Sequence, residues 1–350
     1  MSVPVHPEPH EVRRFESSAG AQIFQIPLEV FPGFWGYAYA VWLPGTETGR
    51  VLIDTGSGFG NSSQHLEEGL AAVSDLTGQD FSPENLTHIL ITHGHIDHFG
   101  GLAAIRPRTP ARIGVHELDL RVLTHYEERL VVIARRLDVF LAEAGVSAER
   151  RKALIEMYKL TKSLYSSVKV DFTYEAAGMR VGPFELLHVP GHCAGHVVLR
   201  LHDVLFSGDH ILDRTSPHQS PEHLTLYTGL GHYLQSLEKL RRWAPDVRLV
   251  LGGHKEPIHD LAGRIDEIEA LHIERLNKVL DFLEQPHTIK EISQILFGEV
   301  NGYNVLLALE EAGAHVEYLY QRGRLGIHNL EDIEDSLTPV AIQYYRLPEA

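Results

Sequence analysis

Residues Thr92–His98 read T-H-G-H-I-D-H, placing three histidines and an aspartate within six positions, directly after the apolar run H-I-L-I-T. A strand end is rigid, and the loop leaving it can wrap its side chains around a point, as a metal site requires. His93 and His95, two apart, can reach one cation together; Asp97 and His98, adjacent on a turning backbone, can face a second. A zinc-type ion takes three or four N/O ligands, and a catalytic one keeps a position open for water. Two ions sharing a bridging carboxylate need about three more ligands from elsewhere. Three downstream turns offer them: His192 in P-G-H-C-A-G-H, Asp209 in S-G-D and His254 in G-G-H. Any one of these histidines alone would be an ordinary polar loop residue, but the dense cluster points to metal.

Composition narrows the chemistry further. The chain has 350 residues, 31 Lys+Arg against 47 Asp+Glu and a formal charge of −16. That balance argues against nucleic acid or an anionic membrane as an obligate partner. A single Cys excludes a disulfide framework and any Cys-rich zinc or iron–sulfur motif, so with 23 His present a metal must be held by imidazole and carboxylate. The N-terminal M-S-V-P-V-H-P-E-P-H-E-V-R-R has no apolar core of a secretory signal, and no run approaches 18 apolar residues. A cytoplasmic protein is expected.

The elements that must position these residues alternate. Short strands are predicted at Ala21–Ile26, Tyr37–Leu43, Val51–Ile53, His88–Thr92 and Ala111–Val115, with a helix over Asn61–Val73. From about Glu117 to Val168 turn signals vanish and helical periodicity takes over, which reads as a helical insertion. Strands return at Phe184–Val189, His196–Leu201, Val204–Phe206 and Arg248–Leu251, with a helix around Gly231–Trp243. Beyond Pro257 the pattern is helical. A long amphipathic helix is predicted over Leu261–Leu283, and a capped one opens at Thr288 (Thr288, Glu291) and stops at Gly298. A further helix near Tyr303–Ala312, the run H-V-E-Y-L-Y-Q-R-G and a polar tail follow.

The order THGHIDH, PGH, SGD, GGH, preceded by V-L-I-D-T-G at Val51–Gly56, resembles the metallo-β-lactamase-fold hydrolases over about residues 20–260. The resemblance implies an α+β fold, a four-layer αβ/βα sandwich with a dinuclear site at one edge of the sheets. It implies that His93, His95 and His192 bind one divalent ion, that Asp97, His98 and His254 bind the other, and that Asp209 bridges them. Asp209 stands where one class of true zinc β-lactamases carries a Cys, which turns the reading away from antibiotics. H-I-L-D-R-T-S-P-H after Asp209 and T-I-K-E-I-S-Q-I-L-F-G are similar to a branch with a C-terminal winged-helix-like domain, described as thioesterases, lactone hydrolases or endoribonucleases. The expected division is a catalytic domain over 1–260, with its insertion at about 117–168, and the winged-helix-like domain and tail over 261–350. The insertion is longer than that branch leads one to expect.

Two divalent ions, zinc by default with iron, manganese or nickel also suited to His/Asp ligands, would acidify a bridging water toward neutrality and polarise a substrate oxygen. Asp97 and Asp209 are the catalytic carboxylates of this reading, Asp97 orienting the nucleophile and carrying its proton. Asp54 is expected to hydrogen-bond a ligating histidine. His196, His210 and Tyr227 are further candidates for supporting a ligand or touching substrate, while His116, His125, His218, His223 and His232 read as solvated or structural. Cys193 reads as a small buried residue. G-S-G-F-G at Gly56–Gly60 lacks the third glycine of a dinucleotide fingerprint and reads as a flexible turn.

The function expected is hydrolysis of a carboxylic ester, a thioester or lactone, on a small molecule through a metal-bridging hydroxide. Apolar residues of the insertion (Tyr126, Phe140, Tyr158, Tyr165) are expected to face an acyl chain. The alternative is a phosphodiesterase or endoribonuclease on the same two ions. Net charge disfavours a polymer, and the tail's Lys278, Lys290, Arg322 and Arg324 are scattered among acids rather than clustered. Packing on the core, shaping the pocket or a homodimer contact are the uses expected of the tail. No flavin module is recognisable, so diiron electron transfer is not expected.

Overall fold

The computed structural model describes residues 11–348; the first ten residues of the proline-rich N-terminus lie outside the described residues. Two sheets carry the chain. The first holds β1 (Arg13–Glu16), β2 (Gln22–Phe31), β3 (Phe34–Trp42), β4 (Arg50–Ile53), β5 (His88–Leu90), β6 (Arg112–Val115) and β7 (Phe172–Thr173) in sequential order. Its strands are antiparallel up to β4 and parallel from there on. The second holds β8 (Arg180–Val181), β9 (Phe184–His188), β10 (Val197–Leu201), β11 (Val204–Gly208) and β12 (Leu249–Gly252), ordered β12-β11-β10-β9-β8, with only β11 and β12 parallel.

Side-chain alternation along each strand sorts residues to opposite faces. Ile23, Tyr39, Val51, Ile53 and Leu90 of the first sheet meet Val197, Leu199, Phe206 and Leu251 of the second in one buried cluster. Their neighbours face outward: Phe24, Ile26, Leu52 and Ile89 pack against Leu66, Leu70 and Val73 of α1 (Ser62–Thr77). The result is helix, sheet, sheet, helix, the four-layer sandwich the motif order led one to expect. Two one-turn helices, α2 (Ile96–Phe99) and α3 (Leu102–Ile105), follow β5.

The insertion is three helices, α4 (Glu117–Thr124), α5 (Tyr126–Glu143) and α6 (Ala148–Lys162). After them come α7 (Leu230–Trp243), α8 (Leu261–Phe282), α9 (Ile289–Phe297), α10 (Asn304–Gln321) and α11 (Leu330–Glu334). Phe140, Leu141 and Leu154 of the insertion share one cluster with Ile292 of α9, with Leu309 and Val316 of α10, and with Val198 and Val250 of the second sheet. The insertion and the C-terminal segment are therefore mutually buried on one outer face. The sequence-based acyl-chain assignment needs correcting at Phe140: at 1% exposure it fills this core instead of facing open space.

The C-terminal helices begin as predicted but do not all end there. Thr288 and Glu291 form a capping box, and Gly298 follows α9. The helix predicted to stop at Ala312 runs on to Gln321, absorbing most of H-V-E-Y-L-Y-Q-R-G. Gly313 lies inside it for packing: a Cβ there would come within 2.9 Å of Phe140 and of Pro221. The polar tail pairs, β13 (Leu325–Ile327) lying antiparallel to β14 (Tyr344–Arg346), and His287 bridges to Tyr344. Among the described residues no helix is long and apolar enough to cross a membrane.

Candidate metal centre

Seven side chains converge where β5, β11 and β12 end and where the loop between β9 and β10 turns. Donor atoms of His93, His95 and His192 lie within 4.8 Å of one another, as do those of His93, His98 and Asp209, and those of Asp97, His98 and His254. His93 Nε2 is 3.1 Å from His95 Nδ1, and His254 Nε2 is 3.4 Å from Asp97 Oδ2 and 3.5 Å from Asp209 Oδ2. Asp209 sits centrally, with Oδ1 3.4 Å from His98 Nε2 and Oδ2 3.9 Å from His192 Nε2. Space for these rings is made by Gly253, where a Cβ would come within 2.5 Å of His98 and 2.6 Å of Asp209 Oδ1.

The outer nitrogens of the rings are tied down. His98 Nδ1 donates to Asp54 Oδ2 at 2.8 Å, His192 Nδ1 to the His218 carbonyl at 2.6 Å and His254 Nδ1 to the Trp35 carbonyl at 2.8 Å. Each bond fixes the ring's orientation and turns Nε2 inward, where it can bind a cation in place of a proton. His98 Nε2, His192 Nε2 and Asp209 Oδ1 are buried without a hydrogen-bond partner. Buried acceptors left unpaired are costly, and three of them facing one point with two carboxylates nearby fit a cation.

Electrostatics agree. Burial, reinforced by the neighbouring histidines, pushes His93 and His95 well below the usual imidazole range, the neutral state a ligand needs. Burial also disfavours charge on His98, yet Asp209 and Asp54 outweigh it and draw His98 well above its ordinary value. Asp209 stays well below the usual carboxylate range, because His254 and His98 outweigh its own burial. The centre thus concentrates negative charge at Asp97 and Asp209, with His93 and His95 neutral and with protons drawn to His98 and His254, where a cation would take their place. The donor set is all nitrogen and oxygen, a set that zinc, iron and manganese share.

A family model described as the metallo-beta-lactamase superfamily matches residues 33–254, which spans all seven residues. The chain belongs to the metallo-beta-lactamase superfamily. It is 25% identical over 298 residues to the Beta-lactamase-like protein 2 homolog of Drosophila melanogaster, covering 84% of this chain and 86% of that one. It is 26% identical over 249 residues to the Atrochrysone carboxyl ACP thioesterase dmxR1 of Cryptosporiopsis, covering 70% of this chain and 57% of that one. Among solved structures, a metallo-beta-lactamase family protein from Thermus thermophilus superposes with a TM-score of 0.70 at 25% identity, covering 93% of this chain and 98% of that one. A beta-lactamase domain protein from Burkholderia ambifaria superposes with a TM-score of 0.67 at 23% identity, covering 95% and 93%, and shares the fold. The chain is a metal-dependent hydrolase of this superfamily.

The remaining predicted residues divide within this metallo-beta-lactamase framework. Asp54, buried in a left-handed conformation (φ 59°), also accepts from Thr92 N at 2.8 Å and Thr92 Oγ1 at 2.7 Å, so it braces both His98 and the strand end before His93. His196 stacks on His93 with ring centroids 4.5 Å apart and accepts from Asp209 N at 3.1 Å. His210 is buried behind the centre, its ring 5.2 Å from that of Tyr233. Tyr227 is not brought to the centre. It is 46% exposed in the turn before α7, its ring against His232. Cys193 is buried and donates toward Asp119 at 3.3 Å, and burial together with that carboxylate pushes its thiol well up.

Two residues escaped the sequence reading. Asp119, fully buried on α4, accepts from Gly94 N at 2.7 Å and Gly195 N at 3.0 Å, clamping together the two loops that carry His93 and His192. In sequence it looks like an ordinary acid in a helix's first turn. His218, read as solvated or structural, supplies the carbonyl that orients His192, a role set by backbone and invisible in residue type.

Proposed function

We propose that the chain is a dinuclear-metal hydrolase of a small carboxylic ester, thioester first and lactone second. The observation that carries this reading is the inward convergence of seven His/Asp donors with the outer nitrogens of His98, His192 and His254 already hydrogen-bonded. His93, His95 and His192 would hold one ion, Asp97, His98 and His254 the other, and Asp209 both. Such ions, zinc by default, supply Lewis acidity and acidify water toward neutrality. Asp97 faces His254 through Oδ2, which leaves its other oxygen to orient the attacking water, take its proton and deliver it to the leaving sulfur or oxygen.

The substrate side of the reading rests on what borders Asp97. Lys162, Tyr165 and Tyr303 are its electrostatic neighbours, and Glu310 neighbours Lys162, Tyr158 and Tyr303. Tyrosines and a lysine of the insertion, with Tyr303 just before α10, are thus near enough to Asp97 to interact with it, a setting suited to a small acyl compound with a polar end. The thioesterase named among the relatives supports the same class. The C-terminal order, a helix, a bridge at His287, two helices and a ribbon, is read as winged-helix-like, with the boundary near residue 260.

A substrate panel on purified, metal-quantified protein tests the reading, using acyl thioesters, lactones, bis-p-nitrophenyl phosphate and RNA. Thioester or lactone turnover lost together with metal in Asp209→Ala is the expected result. Phosphodiester or RNA cleavage without esterase activity would overturn it.

A further inference from the structure

His192 is tied to a carboxylate through a single peptide unit. Its Nδ1 donates to the carbonyl of His218 at 2.6 Å. The amide of that same peptide bond, Gln219 N, donates to Glu311 Oε2 at 2.6 Å. Glu311 is buried on α10, and its other oxygen accepts from Arg275 of α8 at 2.9 Å. Arg275 also donates to Ser216 Oγ at 3.2 Å, and the His218 ring reaches the Leu307 carbonyl at 3.1 Å. The loop after Asp209 is thus stapled to the C-terminal helices around one peptide plane, whose two ends meet a carboxylate and a histidine of the metal centre.

Hydrogen bonds in series polarise one another inside a low-dielectric interior. A carboxylate on the N–H side of a peptide raises the negative charge on its carbonyl oxygen. That oxygen then pulls harder on the proton of His192 Nδ1 and makes Nε2 a stronger donor to a cation. A direct carboxylate–histidine contact does this at Asp54 and His98, where the separation is 2.8 Å. We propose that Glu311 is a positioning residue for the metal centre, acting on His192 through the His218–Gln219 peptide, so that the C-terminal segment beyond residue 254 is part of the site.

Glu311 also lies near His272 and His315, and the three together resemble a metal-binding group. The surroundings argue for the relay instead. His272 Nδ1 and His315 Nε2 share one hydrogen bond at 3.2 Å, His315 Nδ1 is bonded to the Glu311 carbonyl at 2.7 Å, and the Glu311 carboxyl group is already engaged by Arg275.

The test compares Glu311→Gln, which keeps shape and removes charge, with Glu317→Gln. Glu317 holds the neighbouring amides of Glu222 and His223 but not the His218–Gln219 peptide. Zn(II) affinity is read by competition with a chromophoric chelator, and the d–d spectrum is read after Co(II) substitution. The Nδ1 proton resonance of His192 is followed by NMR in the metal-free protein. Glu311→Gln should weaken one of the two ions by about tenfold or more, alter the Co(II) bands and move the His192 resonance upfield. Glu317→Gln should do none of these. Wild-type affinity, spectrum and resonance in folded Glu311→Gln would overturn the proposal, as would an equal loss in Glu317→Gln. If Glu311→Gln does not fold, Glu311→Asp keeps the charge beside Arg275 and withdraws it from Gln219, and the same outcomes decide. None of these readouts depends on which ester the enzyme hydrolyses, so the substrate reading can fail while the relay stands.

Discussion

Asp54 and His98 form a buried pair, Oδ2 to Nδ1 at 2.8 Å, in which the carboxylate also grips both polar groups of Thr92. One side chain therefore sets the ring plane of a ligand for one ion and the strand end that launches a ligand for the other. Replacing Asp54 with Asn keeps the size and tolerates the left-handed backbone, but it cannot accept from all three donors. Asp54→Asn should weaken metal binding by about tenfold to a hundredfold with little change in secondary structure. Metal stoichiometry across a chelator series reads this out, and unchanged occupancy would remove the role assigned to Asp54.

Asp119 links the loops of His93 and His192 by accepting from Gly94 N and Gly195 N. Both glycines are there for proximity: a Cβ at Gly195 would lie 2.5 Å from the Asp119 carboxyl carbon. Asp119→Ala leaves two buried amides unpaired, a loss of about 1–3 kcal/mol each. Urea unfolding of the metal-free variant should show a lower midpoint with the same slope, while Cys193→Ala should keep its metal and its turnover. A Cys193→Ala enzyme that binds metal normally yet is inactive would contradict the packing role given to the thiol.

How far the sequence carried can be traced through particular residues. His93, His95, Asp97 and His98 were legible because one turn concentrates them, and His192, Asp209 and His254 because each closes a strand. Asp119 was not, since its partners are backbone amides from two other loops. Nor was Glu311, whose bond to Gln219 N spans 92 residues and depends on how α10 lies over the loop. Strand alternation made the individual strands legible, and the four-layer fold followed from the family resemblance that the motif order carries. The two-residue strands β7 and β8 and the β13–β14 ribbon were not, because so few residues establish no period.

Acid should destabilise the metal-free protein in two stages. Burial holds His116 down to about 3, His272 to about 2 and His315 to about 4, against an ordinary 6.5. The unfolded chain binds those protons first, so this stability is present above about 6.5 and is lost as pH falls. Burial raises Glu310 to about 7 from 4.5, so its protonation favours the folded state over the window between 7 and 4.5. The two effects oppose one another there, and below about 4.5 only the histidine loss continues. His210 and His218, each held down to about 3, add to the loss, so melting temperatures in a chelator should fall from about pH 6.5 downward and fall more steeply below 4.5. A flat profile down to pH 4.5 would mean that these histidines can take up protons in the folded protein as readily as in the unfolded chain.

Metal removal tests the centre as a source of stability. The three buried clusters that build the sandwich and its helical cover form without any ion, so the chelated protein should remain folded. The centre itself concentrates Asp97 and Asp209 around His254, and without a cation that charge is offset by protons drawn to His98 and His254 and by the nearby Lys162. A cation that binds only the folded state adds RT ln(1 + [L]/Kd), about 2.7 kcal/mol at a hundredfold excess over Kd. Adding Zn(II) to stripped protein should therefore raise the melting temperature by several degrees, in proportion to the logarithm of its concentration. Asp209→Ala, which removes the carboxylate that lies within 3.9 Å of His98, His192 and His254 alike, should respond far less. An equal rise in that variant would place the bound ion somewhere other than at the seven converging side chains.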